Sequence, residues 1–199
     1  MSDVQSILDF WFGPEMDDQA IANAQASLWW AKNADTDARI QQQFETTVQA
    51  AAKGALDAWL TTARGRLALI LLTDQFPRNM YRDTPQAFGF DAHARRLCND
   101  GLALGHDQAL RPIERVFFYL PLEHSEDRDD QARCVALIRQ LVEDAATEHR
   151  PLYEGYLDFA RRHQVIVDRF GRFPHRNRIL GRAETDEERT FLQQPGSGF

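Results

Sequence analysis

Glu126-Asp127-Arg128-Asp129-Asp130-Gln131-Ala132-Arg133-Cys134-Val135-Ala136-Leu137-Ile138-Arg139-Gln140-Leu141-Val142-Glu143-Asp144-Ala145-Ala146-Thr147-Glu148 carries its apolar residues at helical spacing. Cys134, Leu137, Ile138, Leu141 and Val142 fall three or four apart, with acids and arginines between them. Such a pattern buries one face of a helix and wets the other. Upstream, Arg111-Pro112 opens a similar stretch with Ile113, Val116, Phe117 and Leu120 inward, and proline suits a first helical turn. Downstream, Pro151 starts a helix reaching about Phe170, where Gly171 can supply a left-handed cap.

The same period runs through the rest of the chain. Ser2 is placed to cap a first helix bearing Val4, Ile7, Leu8 and Trp11, ended by Gly13-Pro14. Helices follow over about Asp17 to Trp30, Asp35 to Lys53, Ala55 to Thr61 and Gly65 to Phe76. Thr84-Pro85 reads as a cap and first turn of a helix ending near Leu104. Thr185-Asp186-Glu187-Glu188 has the spacing of a capping box. Pro77 and Pro174 read as helix stops. Period-2 stretches rich in β-branched residues are missing from the sequence. The expectation is an all-α fold of roughly eight to ten helices in antiparallel pairs, forming a single domain over residues 1–199.

Composition narrows the function classes. The chain has 199 residues, 43% of them hydrophobic and 27% charged, as in a soluble globular domain. A net charge of -7 argues against nucleic acid and anionic membranes as partners. Met1-Ser2-Asp3-Val4 lacks the basic start of a signal peptide. The longest aliphatic run, Leu67 to Leu72, falls short of the roughly 20 residues that span a bilayer. Cys98 and Cys134 are isolated and read as buried thiols in a reducing compartment. The expected location is the cytoplasm.

Three polar segments interrupt the helical pattern. The first is Asp74-Gln75-Phe76-Pro77-Arg78-Asn79-Met80-Tyr81-Arg82. An acid at a helix C-terminus opposes the dipole, so Arg78 or Arg82 is expected to reach back to Asp74. Arg78, Asn79 and Arg82 are also candidate donors to a carboxylate or phosphate. The second is Glu123-His124-Ser125-Glu126. A carboxylate beside an imidazole suits a general base, so His124 is a candidate acid or base oriented by Glu123 or Glu126. The third runs from His163 to Asn177 and contributes His163 and His175 as further catalytic candidates. Its Arg169, Arg172, Arg176 and Asn177 are candidate ligand donors, and Glu126 across from them is a further candidate ligand-binding residue. From Arg161 to Arg182 seven arginines stand against one acid, Asp168, and the acids of 123–130 are expected to face them. One of the adjacent Trp29-Trp30 must face away from the core, making Trp30 a candidate groove residue.

Metal-ligand spacing is missing, and arginines around Glu123, His124, His163 and His175 disfavour a cation. Neither a metal nor another cofactor is expected. Glycine-flanked serine is missing too, which leaves acid–base chemistry rather than a covalent serine mechanism.

At these segments the chain resembles the bacterial proteins grouped as domain of unknown function 924. The likeness rests on Ile7-Leu8-Asp9-Phe10-Trp11-Phe12-Gly13, Trp29-Trp30, Asp74 to Asn79, Tyr119 to Glu126, Arg169 to Asn177, Leu180-Gly181-Arg182 and Phe191-Leu192. The resemblance implies an all-helical, tetratricopeptide-like superhelix and no established activity. The expected function is binding of an anionic small molecule or a peptide segment in a groove built by the three polar segments. A hydrolase using His124 on a small anionic substrate is the alternative. A purely structural polar lock is the third reading. The sequence leaves the oligomeric state open.

Overall fold

The structure, a computed structural model, describes residues 2–198. It is all-helical, with no strand among the described residues. α1 spans Val4–Phe12, α2 Asp18–Trp30 and α3 Ala34–Ala52. The first cap is Asp3, not Ser2: its carboxylate accepts the Ser6 amide at 2.8 Å. A carboxylate also offsets the positive end of the helix dipole, which a serine hydroxyl does not. Asp17 and Asn33 cap α2 and α3 in the same way.

The segment after α3 departs from the sequence expectation. Asp57–Thr61 forms only a 3₁₀ turn. α4 (Ala63–Ile70) then continues through a π turn, Leu71–Gln75, into α5 (Phe76–Met80). Pro77 therefore does not stop this helix. Proline lacks the N–H its predecessor four back would receive, and its ring crowds that carbonyl. A wider turn just before it relieves both demands: the Phe76 amide reaches back to Leu71 O. Arg78 Nη1 adds a hydrogen bond to Asp74 O at 2.6 Å. Pro174 likewise opens a 3₁₀ turn, Pro174–Arg176, instead of ending a helix.

A 3₁₀ turn at Pro85–Phe88 precedes α6 (Asp91–Ala103), so that helix begins later than Thr84-Pro85 suggests. The Thr84 hydroxyl is spent on Tyr81 O at 2.7 Å and caps nothing. α7 (Pro112–Glu123) and α8 (Arg128–Asp144) follow. Buried Gln131 of α8 donates to Glu123 O at 2.6 Å and Ser125 O at 2.7 Å, closing the end of α7. α9 (Arg150–Phe170) runs antiparallel to α8, with Arg128 at the start of one bonded to Asp168 O at the end of the other, 2.8 Å. Gly171 ends α9 at φ 69°, the left-handed conformation glycine adopts without strain. α10 (Asn177–Leu180) and α11 (Asp186–Leu192) complete the chain, the latter opened by the Thr185/Glu188 capping box.

The main core is aromatic at its centre. Trp11, Phe12, Trp29 and Phe117 meet with ring centroids 4.5–6.5 Å apart. Trp29 Nε1 donates to Trp11 O at 2.9 Å, so its one polar atom is satisfied inside. A second, smaller cluster of Ile166, Val167 and Phe173, with Phe170 and Phe191, seats the C-terminal segment on α9. Cys98 and Cys134 are fully buried, and burial pushes both thiols up, away from reactive thiolate. Among the described residues no helix is long and apolar enough to cross a membrane.

Candidate functional site

The three polar segments meet. The π turn presents Asp74, the end of α7 presents Glu123 and His124, and the last turns of α9 with the following corner present His163, His175 and Arg176. π turns interrupt helices at functional sites often enough to make this one notable.

A chain of alternating charge runs through the cluster. His124 Nδ1 lies 2.9 and 3.0 Å from the two Asp74 carboxylate oxygens. Arg78 Nη1 stands 3.2 Å from Asp74 Oδ1. The same guanidinium grips Asp91 with two bonds of 2.9 and 3.0 Å. Asp91 in turn reaches Arg176 Nη1 at 3.5 Å. Arg176 lies between two aromatic faces, 4.7 Å from the Phe88 ring centroid and 4.5 Å from that of Phe173. It is only 6% exposed, and its Nε has no hydrogen-bond partner among the described residues.

Burial sets the protonation states. It pushes the Asp74 carboxyl up, but the Arg78 charge and the hydrogen bond from His124 outweigh it and hold the group ionised, below the usual carboxylate range. Burial and Arg78 push His124 down against the pull of Asp74, so the imidazole is neutral. Glu123 has no arginine to offset burial and the Asp74 charge, and rises to about 8. It therefore enters the cluster as a neutral acid, 3.4 Å from His163 Nδ1. Burial takes His163 to about 3 and His175 to about 4, both neutral at pH 7. His163 Nδ1 also bonds Phe159 O at 2.9 Å. Burial and the neighbouring Arg78 lower Arg176 to about 10, against the pull of Asp91 and Glu126.

The orienting partner of His124 is thus Asp74, not Glu123 or Glu126. Glu126 instead holds Arg182 with bonds of 2.7 and 3.0 Å and accepts the Phe173 amide at 2.8 Å. Most of the arginines in the polar segments are matched by acids. Arg82 grips Asp37 at 2.8 and 2.9 Å, and Asn79 donates to the same carboxylate at 3.0 Å. Arg172 grips Glu188 at 2.6 and 2.8 Å, and Arg169 pairs with Glu187. Asn177 accepts from Arg182 Nε at 2.9 Å. Of the acids of 123–130, Glu126 meets Arg182, as expected, whereas Arg162, Arg169, Arg172 and Arg176 meet Asp158, Glu187, Glu188 and Asp91, outside that stretch. Trp30 is exposed and packs with Trp29, Phe117 and Tyr156, none of them a member of the polar cluster.

Asp91 and Phe88 complete the cluster without having been singled out from the sequence, together with Arg182, read there only as one of the seven arginines. Asp91 opens α6 and carries no local signature; only the fold brings it to Arg78 and Arg176. A cavity of about 330 Å³ is lined by Arg169, Phe170, Arg172, Thr185, Glu187 and Glu188, and by none of Asp74, Arg78, Asp91, His124 and Arg176. Among the described residues no group of three or more His, Cys, Asp or Glu could hold a metal ion.

Comparison with known proteins agrees with this architecture and supplies no chemistry. The chain is similar to a solved structure described as a protein of unknown function, ATU0120, from Agrobacterium tumefaciens. The two share 40% identity over 96% of each chain, with a TM-score of 0.80. No curated protein matches the chain. The family described as bacterial protein of unknown function (DUF924) matches residues 7–196. With nearly its whole length matched, the chain belongs to that family.

Proposed function

We propose that the protein binds a small anion, the carboxylate of a metabolite or of a peptide segment, at the Arg176 end of the polar chain. The observation that supports this is the state of Arg176 itself. Arg78, Arg82, Arg172 and Arg182 each grip a carboxylate with two bonds. Arg176 has one contact of 3.5 Å and an Nε without a partner. A buried guanidinium left so lightly engaged retains donors for a ligand. Phe88 and Phe173 hold its plane in place, which lowers the cost of ordering it on binding. The other pairs form the frame: Arg82 with Asp37, Arg172 with Glu188 and Arg182 with Glu126 lock the surrounding segments.

The test is a pair of opposed substitutions. Arg176→Gln removes the anchor and is expected to abolish binding of small carboxylates, followed by chemical shift changes. Asp91→Asn withdraws the competing carboxylate and is expected to tighten the same binding. Carboxylates that bind the two variants and the parent chain equally would sink the reading.

A second reading is hydrolysis with His124 as general base or acid. The geometry of Asp74 favours it, because a carboxylate at Nδ1 fixes the tautomer and leaves Nε2 for proton transfer. A panel of phosphatase, esterase and nuclease substrates would test it, with His124→Gln as control. Activity that survives in this variant removes the mechanism.

A further inference from the structure

We infer that α9 pairs with α9 of a second copy of this chain, antiparallel and centred on Gly155, to form a two-fold symmetric dimer. The inference goes beyond the anion site and does not depend on it. Tyr153, Leu157 and Ala160 take one side of α9 into the core. The outer side carries an apolar strip. Trp30 is 54% exposed and Phe159 50% exposed. Half-buried Tyr156 connects them: its ring lies 6.2 Å from that of Trp30. On the helix it neighbours Leu152 and Phe159, at spacings that share a face. A contiguous apolar strip of this kind marks an interaction site.

Gly155 lies in the strip. It stands inside a 21-residue helix, where glycine costs stability against alanine. Its φ is not positive, and a β-carbon added there would meet open space. Neither the backbone nor the packing of one chain calls for a glycine at this position. A second backbone laid across the helix does, because the missing side chain lets two helices approach closely.

Charge complementarity names the occupant. An antiparallel crossing with its two-fold axis at Gly155 sets each residue opposite the one equally far on the other side. Phe159 of one copy then meets Pro151 of the other. Two turns from the axis, on the same face, Arg162 of one copy meets Glu148 of the other. All four residues are exposed. Arg162 lies over the Phe159 ring at 5.4 Å and is steadied by Asp158 at 2.6 Å, so cation and ring form one anchor. Symmetry makes each contact twice. The acid just before α9 and the arginine two turns past its glycine are thus complementary to themselves reversed. A strip with that property fits a copy of itself, whereas docking of a different protein does not require it.

Sedimentation equilibrium of the full chain tests this. The parent is expected to dimerise reversibly. Phe159→Asp, at a half-exposed position, is expected to raise the dimer dissociation constant about tenfold or more. Gly155→Gln should raise it too. At concentrations where both are monomeric, that variant should melt at or above the parent, because glycine has left the helix interior. Arg162→Glu and Glu148→Arg should each weaken self-association, since each sets like charges together twice in its own dimer. Mixed in equal amounts, these two variants should form a heterodimer with both pairs restored, seen by native mass spectrometry. That recovery is specific to the register centred on Gly155, and a misfolded variant could not give it. A parent that stays monomeric at millimolar concentration leaves the strip to a different protein and overturns the inference. So does a dimer that keeps its affinity in Phe159→Asp and Gly155→Gln. So, too, do charge variants that associate no more tightly when mixed than alone.

Discussion

Asp74 and His124, 50 residues apart in sequence, meet with both carboxylate oxygens within 3.0 Å of the imidazole Nδ1. Asp74 is fully buried and is engaged on its other side by Arg78. The π turn that carries Asp74 and the end of α7 that carries His124 are thereby joined at one point. A carboxylate in this position fixes which imidazole nitrogen bears hydrogen, and it also ties Arg78 into the core.

Replacing Asp74 by Asn keeps the shape and removes the charge. Arg78 would keep Asp91 but lose half of its compensation inside the protein. Breaking one side of a buried ion pair costs about 3–5 kcal/mol. Asp74→Asn is expected to lower the urea unfolding free energy on that scale. Loss below about 1 kcal/mol would mean that Asp91 alone satisfies Arg78.

Glu123 gives a pH dependence of opposite sense to that of an ordinary paired acid. Its folded pKa, about 8, lies above the 4.5 of a free glutamate. The folded state therefore holds a proton that the unfolded state has released between these values. The stabilising contribution is fully present below pH 4.5 and is lost as pH rises toward 8. Glu123→Gln, neutral at every pH, is expected to flatten this decline. Urea titrations of both chains at pH 5 and pH 8 measure it: the variant should gain on the parent at pH 8. Parallel behaviour at both values would show that Glu123 is ionised in the fold.

Helix periodicity was readable because burial imposes it locally: Ile138 and Leu141 on α8, or Ile40, Phe44 and Val48 on α3, declare their inner face within one turn. Pro77 was not, because a proline's effect depends on the turn before it, and the π turn has no pattern of its own. The meeting of the three polar segments was foreseeable from their shared residue types. Their partners were not. Asp91 and Glu188 are ordinary helix-start acids until packing places one beside Arg78 and the other beside Arg172. Arg176 looks in sequence like its neighbours Arg172 and Arg178. What sets it apart is which acids the fold supplies, a property of tertiary structure alone.

Gly101 of α6 marks a close approach between helices. A β-carbon there would press into Arg66 Cδ and Phe118 Cζ, inside van der Waals contact. Neither neighbour has room to yield. Arg66 is buried and donates to Leu97 O at 3.1 Å and His106 Nδ1 at 3.2 Å, and the Phe118 ring is fully buried. Gly101→Ala is expected to destabilise by about 1–3 kcal/mol through overpacking, despite alanine's better helix propensity. A thermal melt at or above the parent midpoint would contradict this.

Glu126 fastens the C-terminal corner, and its removal should loosen that corner before the rest of the molecule. Its two oxygens accept from Arg182 and from the Phe173 amide. Arg182 in turn donates to Phe173 O at 2.9 Å and Asn177 Oδ1 at 2.9 Å. Without Glu126, Arg182 is undercompensated, and residues 172–182 are left to the small Ile166, Val167 and Phe173 cluster, the Arg172–Glu188 pair and the contacts of Arg176 with Asp91 and Phe88. Charge-assisted hydrogen bonds of this kind contribute about 1.5–3 kcal/mol each. The corner also carries Arg176, so its local opening is coupled to the proposed anion site. Glu126→Ala is expected to bring faster amide exchange and earlier proteolysis in 172–198 while α3, α4 and α7 retain their protection. Uniform loss of protection across all helices would instead place Glu126 in the global unfolding unit, and unchanged exchange at 172–182 would show that the corner is held without Glu126.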